Sequence, residues 1–408
     1  MEIIGQQQLQ AWIDDVSRPP ATFIGLDLTA QASVLAGLDL SACAFLGCQS
    51  PLDLEIVARK SGATLVTAPL NLPFSPFRST LYSVDDLYDR YDPAVGEASW
   101  KASFDYLAYG WFMDETNQVP KALTTAQTMF ARLHDSALEA ATARFILDRG
   151  RPVVGFMGGH DTARTDPVFR AIADLARRFT RLGYLVLTGG GPGLMEAANL
   201  GAFLADYDDG ELDTVLAQIA GAPKYNSPGW LQLAWIQRQR LLQIAGPKPG
   251  ESLGIPTWLY GYEPPNVFAT HQGKLFYNSL REDGLVTLAD AGLVFGPGNA
   301  GTVQEIFQDA TQNYYRKPGM APTPMAVLGK AFWSRDPTAG PDTAGRTKPL
   351  APLLTALAGE KPALAFSNAV LFTDDVEAVI ALIEDARRGG AAPTKAMAWL
   401  DAKAQVLV

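Results

Sequence analysis

The stretch YLVLTGGGPGLMEAANLGAFLA, residues 184–205, decides how this chain is read. Its first residues are an unbroken apolar run, the pattern of a strand buried on both faces. Four glycines follow within 189–193, and then a segment rich in Leu, Met and Ala that favours helix. Strand, glycine turn and helix in that order make the junction at which open α/β sheets bind ligands. The same rhythm extends to both sides. PVVGFMG (152–158) is a strand running into glycine, and DPVFRAIADLARRFTRLG (166–183) is an amphipathic helix that Gly183 ends. Further strands are predicted at SLGIPTWLY (252–260), AGLVFGPG (291–298), TPMAVLG (323–329) and AVLFTDD (369–375), with helices over 278–290, 302–316 and 375–388. This alternation predicts a doubly wound, Rossmann-like α/β domain with a parallel sheet covered on both faces.

The rhythm starts only at residue 151. Residues 1–150 read as a separate N-terminal accessory domain, 151–388 as the α/β domain, and 389–408 as a C-terminal tail. In the first part LDL recurs twelve residues apart, at 26–28 and 38–40, which is compatible with two turns of a coil of short strands. An apolar strand is expected at 63–69, and a long helix from Lys121 to Arg149, stopped by Gly150 and Pro152. The acid-rich run DYDDGELD (206–213) matches no calcium loop and reads as a solvated loop.

Composition narrows the functions further. The 408 residues carry 33 Lys plus Arg against 43 Asp plus Glu, a net charge of −10. That balance disfavours nucleic-acid polymers and anionic membranes as partners, while leaving room for one local phosphate site. No apolar run reaches the roughly 18–20 residues of a membrane span, and the start lacks a secretory pattern. A cytoplasmic protein is therefore expected. Two cysteines, Cys43 and Cys48, exclude a disulfide framework, and three scattered histidines make a His-rich metal site unexpected. No metal and no cofactor are expected.

Three strand ends are glycine-rich. The first holds Gly158 and Gly159, and the second holds Thr188, Gly189, Gly190, Gly191, Gly193 and Met195. The third holds Gly298, Asn299, Gly301 and Thr302. The second and third open directly into helices, whose first N–H groups and partial positive charge suit a phosphate. Neither is a Walker loop, because no Gly-Lys-Ser/Thr follows. The GGGxG spacing is also not the GxGxxG dinucleotide fingerprint. Two such junctions in one domain point to a phosphate monoester.

TGGGPGLMEAANLGA followed about a hundred residues later by PGNAGTVQE resembles the paired motifs GGGxxGxM and PGGxGTxxE of the Lonely Guy family. The resemblance covers roughly 152–385. The MGGH opening and the chain length bring it nearer to the bacterial nucleotide 5′-monophosphate nucleosidases of that group. It implies a nucleoside 5′-monophosphate phosphoribohydrolase, which hydrolyses the N-glycosidic bond to free base and ribose 5-phosphate, acting as a homodimer or larger homo-oligomer. By the same resemblance Glu305 is the catalytic glutamate and Arg281 its paired arginine. Asn299 stands where the family has the second glycine of PGG, and Asn is among the residues that tolerate positive φ. The chemistry is consistent, since a carboxylate beside the anomeric carbon stabilises a developing ribosyl cation and activates water.

A second function class stays open, a non-catalytic nucleotide sensor on the same cradle. Other residues have structural readings first. His160 is expected to position a ligand or hold a loop; Asn278, Glu282 and Asp283 each read as a capping or surface residue, with contact to base or ribose by one of them as the alternative. His134 and Asp135 read as a packed or solvated pair, and Tyr314 and Tyr315 as core or interface aromatics. Cys43 and Cys48 read as small core residues. Nothing in the sequence selects the base.

Overall fold

The computed structural model describes residues 1–67, 71–259, 262–317, 319–336, 338 and 347–389. Contacts divide the described residues into two compact units: 1–81 with 120–149, and 82–119 with 150–389. The segment 82–119, which the sequence places in the accessory domain, thus belongs to the α/β unit. Tyr82 exchanges backbone bonds of 2.9 and 2.8 Å with Gln272, and Phe112 packs on Phe276 with ring centroids 5.1 Å apart. Such contacts leave no periodic trace in sequence. Of the tail read at 389–408, only Gly389 is among the described residues.

The first unit is built on four short parallel strands, Glu2–Ile3 (β1), Thr22–Ile24 (β2), Ala44–Leu46 (β3) and Thr64–Val66 (β4), in the order β1-β2-β3-β4. Helices Gln6–Asp14 (α1), Ala32–Leu35 (α2) and Leu52–Ser61 (α3) make the crossovers. Glu2, Thr22, Ala44 and Thr64 share one register, so the coils repeat after 20, 22 and 20 residues. The two LDL motifs both fall inside the single crossover from β2 to β3, so the twelve-residue spacing is not a coil repeat. The repeating unit is marked instead by apolar residues at one ladder position: Ile3, Phe23 and Phe45 are at most 5% exposed, and Phe23 stacks on Phe45 at 4.8 Å. Helix Thr125–Arg149 (α7) starts later than its apolar pattern suggests. Thr124 sets that start, accepting from Gln127 N–H at 3.3 Å while its own N–H donates to Gln127 Oε1 at 2.9 Å. His134 and Asp135 are buried on α7, 3.0 Å apart, so the packed alternative holds for them. Cys43 is buried and Cys48 half-buried, and burial pushes both thiols up.

The second unit begins with helices Val84–Leu87 (α4), Glu97–Lys101 (α5) and Phe104–Phe112 (α6), and the short strands Met113–Asp114 (β5) and Val119–Pro120 (β6) close that segment. The α/β part carries strands Val153–Met157 (β7), Leu185–Thr188 (β8), Ser252–Gly254 (β9), His271–Gln272 (β10), Gly292–Phe295 (β11), Met325–Leu328 (β12) and Val370–Thr373 (β13). Every pairing among them is parallel, in the order β10-β9-β8-β7-β11-β12-β13. Helices Pro167–Arg181 (α8), Leu194–Phe203 (α9), Gly210–Ile219 (α10), Trp230–Leu242 (α11), Asn278–Leu288 (α12), Ala300–Tyr314 (α13), Lys330–Trp333 (α14), Leu350–Gly359 (α15) and Val376–Arg388 (α16) complete it. The chain is an α/β protein with a Rossmann-like parallel sheet.

Two readings change. The strand expected over 252–260 stops at Gly254, because Pro256 has no N–H for the ladder. The acidic run is only partly a loop, since α10 begins at Gly210. Glu211 and Asp213 sit in its first turn, favoured by the helix dipole and paired with Arg240 and Arg170. The apolar ladder of the first unit yields a stability prediction. Phe23→Ala should cost about 3–5 kcal/mol by leaving a cavity against Phe45, measured as a lower denaturant midpoint for this unit; a loss below about 1 kcal/mol would show that the ladder is not its core.

Candidate functional site

The strand order reverses between β7 and β11, the switch point at which open α/β sheets bind ligands in the crevice beyond the carboxyl ends of their strands. Backbone bonds hold the three glycine-rich loops against one another. Gly159 N–H donates to Pro297 O at 2.9 Å, and Leu194 N–H donates to Gly159 O at 3.1 Å. Gly193 has a φ of +66°, and a Cβ there would also overlap Gly159 O, so only glycine fits.

The second loop is also braced from behind, by Thr188 and by residues the sequence reading did not single out. Thr188 Oγ1 accepts from Gly190 N–H at 2.9 Å and donates to Asn199 Oδ1 at 2.8 Å. Buried Asn266 donates to Gly191 O at 3.0 Å and to Asn199 Oδ1 at 2.9 Å, and its own N–H reaches Gly190 O. Glu196, in the first turn of α9, forms a buried two-pronged pair with Arg164 at 2.5 and 3.1 Å. The guanidinium also donates to the carbonyls of Ala222 and Trp230, so both buried charges are satisfied. Polar residues inside helices and loops carry no motif of their own, but an Asn or Glu amid an otherwise apolar helix such as LMEAANL is a signal that could have found two of them.

The crevice is a cavity of about 450 Å³. Of the residues singled out in the sequence, Gly158, Gly159, Gly189, Gly191, Met195, Arg281, Asn299, Gly301, Thr302 and Glu305 line it. Thr188, Gly190, Gly193 and Gly298 are not among the lining residues and shape the loops instead. His160, Glu263, Glu282, Gln304 and the apolar wall of Pro256, Thr257 and Leu259 complete it. Asn278 reaches the site only indirectly, by donating to Glu282, and Asp283 accepts from Gln308 instead of facing the cavity. Tyr314 donates to Glu360 and Tyr315 is 74% exposed, so neither is a core aromatic at the site.

The two helix ends are not equivalent. Leu194 N–H, at the start of α9, is taken by Gly159 O. In α13 the first backward bond is Val303 N–H to Asn299 O at 3.1 Å, so the N–H groups of residues 300–302 are left at the helix mouth. Those residues line the cavity, which makes α13 the better anion seat. Asn299 has φ −96°, so the position does not call on the left-handed region at all, and the tolerance of Asn for positive φ is not what preserves the loop. Its side chain makes no capping bond and lines the cavity.

Glu305 lies one turn into α13. Burial pushes its carboxyl up to about 7, opposed by Arg281 and reinforced by the neighbouring Glu282 and Glu263. No hydrogen bond to the Glu305 side chain is found among the described residues, whereas Glu282 is held by Asn278 and by Gln304 at 2.5 Å. Arg281 stands 3.9 Å from Glu282 with its buried Nε unpaired. Across the cavity His160 Nδ1 lies 3.4 Å from Glu263. The arrangement offers an anion seat, a guanidinium whose Nε has no partner and a carboxyl raised towards neutrality. No group of three or more His, Cys, Asp or Glu side chains among the described residues is placed to hold a metal ion, and no described helix is long and apolar enough to cross a membrane.

No family model matches the chain, and no curated protein matches it. Two solved structures are similar. One is a molybdenum cofactor binding protein from the phototrophic bacterium Rippkaea orientalis, 19% identical, with a TM-score of 0.30 over 58% of this chain and 96% of that one. The other is the Moco carrier protein from Chlamydomonas reinhardtii, 18% identical, with a TM-score of 0.32 over 59% of this chain and 99% of that one. A likeness of this degree adds nothing to the reading of the site, which rests on its own residues.

The glycines of the third loop separate fold from binding. A Cβ on Gly298 would overlap Thr302 Oγ1, whereas one on Gly301 meets nothing within 4 Å. Gly298→Ala is expected to lower the melting temperature. Gly301→Ala is expected to leave it unchanged or raise it slightly, since Ala favours helix by about 1 kcal/mol, while inorganic phosphate binding measured by calorimetry weakens. Equal melting temperatures for the two variants would contradict this division.

Proposed function

We propose that the protein is a nucleoside 5′-monophosphate phosphoribohydrolase, the activity implied by its resemblance to the Lonely Guy family. The observation that carries the reading is the placement of Glu305: an unpaired carboxyl, raised to about 7, in one cavity with the α13 mouth and Arg281. In this reading the 5′-phosphate sits on the N–H groups of residues 300–302, with Asn299 and Thr302 beside it. The ribose lies over Glu305. As the C–N bond stretches, positive charge grows on the sugar ring and the carboxylate stabilises it. Water then adds to the anomeric carbon and gives a proton to Glu305. The bonding electrons leave with the base, which takes up a proton, so that one water is consumed for each base and ribose 5-phosphate formed. Arg281 serves phosphate or orients the carboxylate.

A pure sensor has no need for a carboxyl held unpaired over the ribose position, and that weighs against the alternative. The test is incubation with a panel of nucleoside monophosphates and the matching nucleosides, following free base and ribose 5-phosphate. Monophosphates are expected to be cleaved and nucleosides to be poor substrates, because phosphate binding energy is used at the reacting bond. Glu305→Gln should cut turnover by about two orders of magnitude or more with affinity changed only a few-fold, whereas Arg281→Ala should weaken binding as well. Tight binding of monophosphates without release of base would select the sensor.

The raised carboxyl also sets the pH profile. If the ionised form is required, kcat/KM should rise with pH and level off above about 7, the value to which burial lifts Glu305. A limb near the usual carboxyl value of 4.5 would mean that another group controls the rate.

A further inference from the structure

Beside the glycine cavity lies a larger one, of about 670 Å³, that the reaction above does not use. Tyr91, Trp100 and Tyr106 contribute to it from the segment 82–119, and Tyr225, Trp230 and Tyr262 from the α/β part. We infer that this cleft is a binding site for a planar heteroaromatic group of the nucleobase type.

The rings are held in place before any ligand arrives. Trp100, Tyr106 and Tyr262 pack on one another with centroids 5.1–5.6 Å apart and planes inclined by 51–70°. Trp100 Nε1 donates to Tyr262 O–H at 3.0 Å, and Tyr262 in turn donates to Asp105. Asp105 is fully buried, accepts from Trp258 Nε1 at 2.9 Å and pairs with the equally buried Lys274 at 2.6 Å. Burying that ion pair is costly unless all its partners are in place, and here one of the partners is the wall of an open cleft. Fixed aromatic rings in a concavity reduce the ordering cost of stacking a flat ligand.

The edges of the cleft are polar. Gln232, Asn226, Ser227 and the Glu97–Lys101 pair line it together with the rings. An aliphatic ligand would strip water from these groups without replacing their bonds. A flat heterocycle with donors and acceptors on its rim satisfies both faces and edges.

Two contacts join the cleft to the glycine cavity. The Tyr225 ring meets His160 edge-on at 5.8 Å, and His160 lines the glycine cavity with Glu263, the residue between Tyr262 and Pro264 of the cleft. Trp230 carries the Arg164 guanidinium 4.8 Å from its ring centroid, and Arg164 holds Glu196 at the start of α9.

The occupant's heterocycle is either the base of the substrate itself or a separate compound, and one experiment distinguishes them. Adenine and adenosine 5′-monophosphate are titrated, alone and together, into the full chain by calorimetry. Adenine is expected to bind, and Trp100→Ala to weaken it about tenfold or more, the scale of one lost stacking partner. Leu231→Trp, which narrows the cleft without touching the Asp105 network, should do the same if Trp100→Ala misfolds. If the base of the substrate enters the cleft, adenine and the monophosphate exclude each other and Trp100→Ala weakens the monophosphate but not ribose 5-phosphate. If the site is separate, both bind at once. No binding of adenine, or binding that both variants leave intact, overturns the inference. The measurement needs no turnover, so a cleft that binds adenine in a protein that releases no base would leave this site standing while the hydrolase reading falls.

Discussion

The bond from Gly159 N–H to Pro297 O is the contact on which the site turns. It joins the ends of β7 and β11, the two neighbours between which the sheet changes direction. For two loops to meet backbone to backbone at 2.9 Å, no side chain can stand between them. That demand bears on Gly159, where a Cβ would crowd Pro297 O; Gly193 is held to glycine by its approach to Gly159 O, and Gly298 by the Thr302 side chain. The glycines are therefore not a phosphate cradle by composition alone. Gly159 and Gly193 let the strand ends close on each other, and the anion seat lies at the mouth of α13.

Closing the loops encloses Glu305, and its ionisation follows from a contest between two effects. Burial raises the carboxyl, Arg281 lowers it, and burial wins by enough to reach about 7. Glu282 and Glu263 add repulsion on the side of burial, and Glu282 also stands 3.9 Å from Arg281. One turn further along the same helix Asp309 shows burial with less opposition: its carboxyl reaches about 8, with Arg316 as its compensating charge. Asp309 is thus mostly protonated at neutral pH, and Glu305 sits near its midpoint. The same helix thus carries two carboxyls raised by burial, each opposed by one guanidinium, and of the two it is Glu305 that lines the cavity.

The sequence made the α/β fold legible because buried parallel strands are continuous apolar runs and because glycine marks their ends. Glu305 and Arg281 were legible only through the paired motifs. Three things were not. The strands of the first unit are two or three residues long, too short for periodicity, so LDL offered a false repeat of twelve against coils of 20 and 22 residues. The bracing residues Asn199, Asn266 and Arg164 act through side-chain bonds to partners 11 to 75 residues away, a separation that no local pattern encodes. The attachment of 82–119 to the α/β unit depends on scattered aromatics and on one buried charge pair.

That pair shows how a segment without a motif can be fixed in place. Asp105 and Lys274 come from distant parts of the chain and meet at 2.6 Å with essentially no exposure. Removing one partner of such a pair strands the other, a loss of roughly 3–5 kcal/mol, although the intact pair itself adds little stability over an apolar contact. The same carboxylate also accepts from Trp258 and Tyr262, so α6 is tied to three residues of the α/β part through one side chain. Trp100 then follows, because its indole N–H bonds the Tyr262 hydroxyl. A buried charge pair on one side and three laced glycine loops on the other thus set two rigid walls, with Glu263 lining one cavity and its neighbours Tyr262 and Pro264 lining the other.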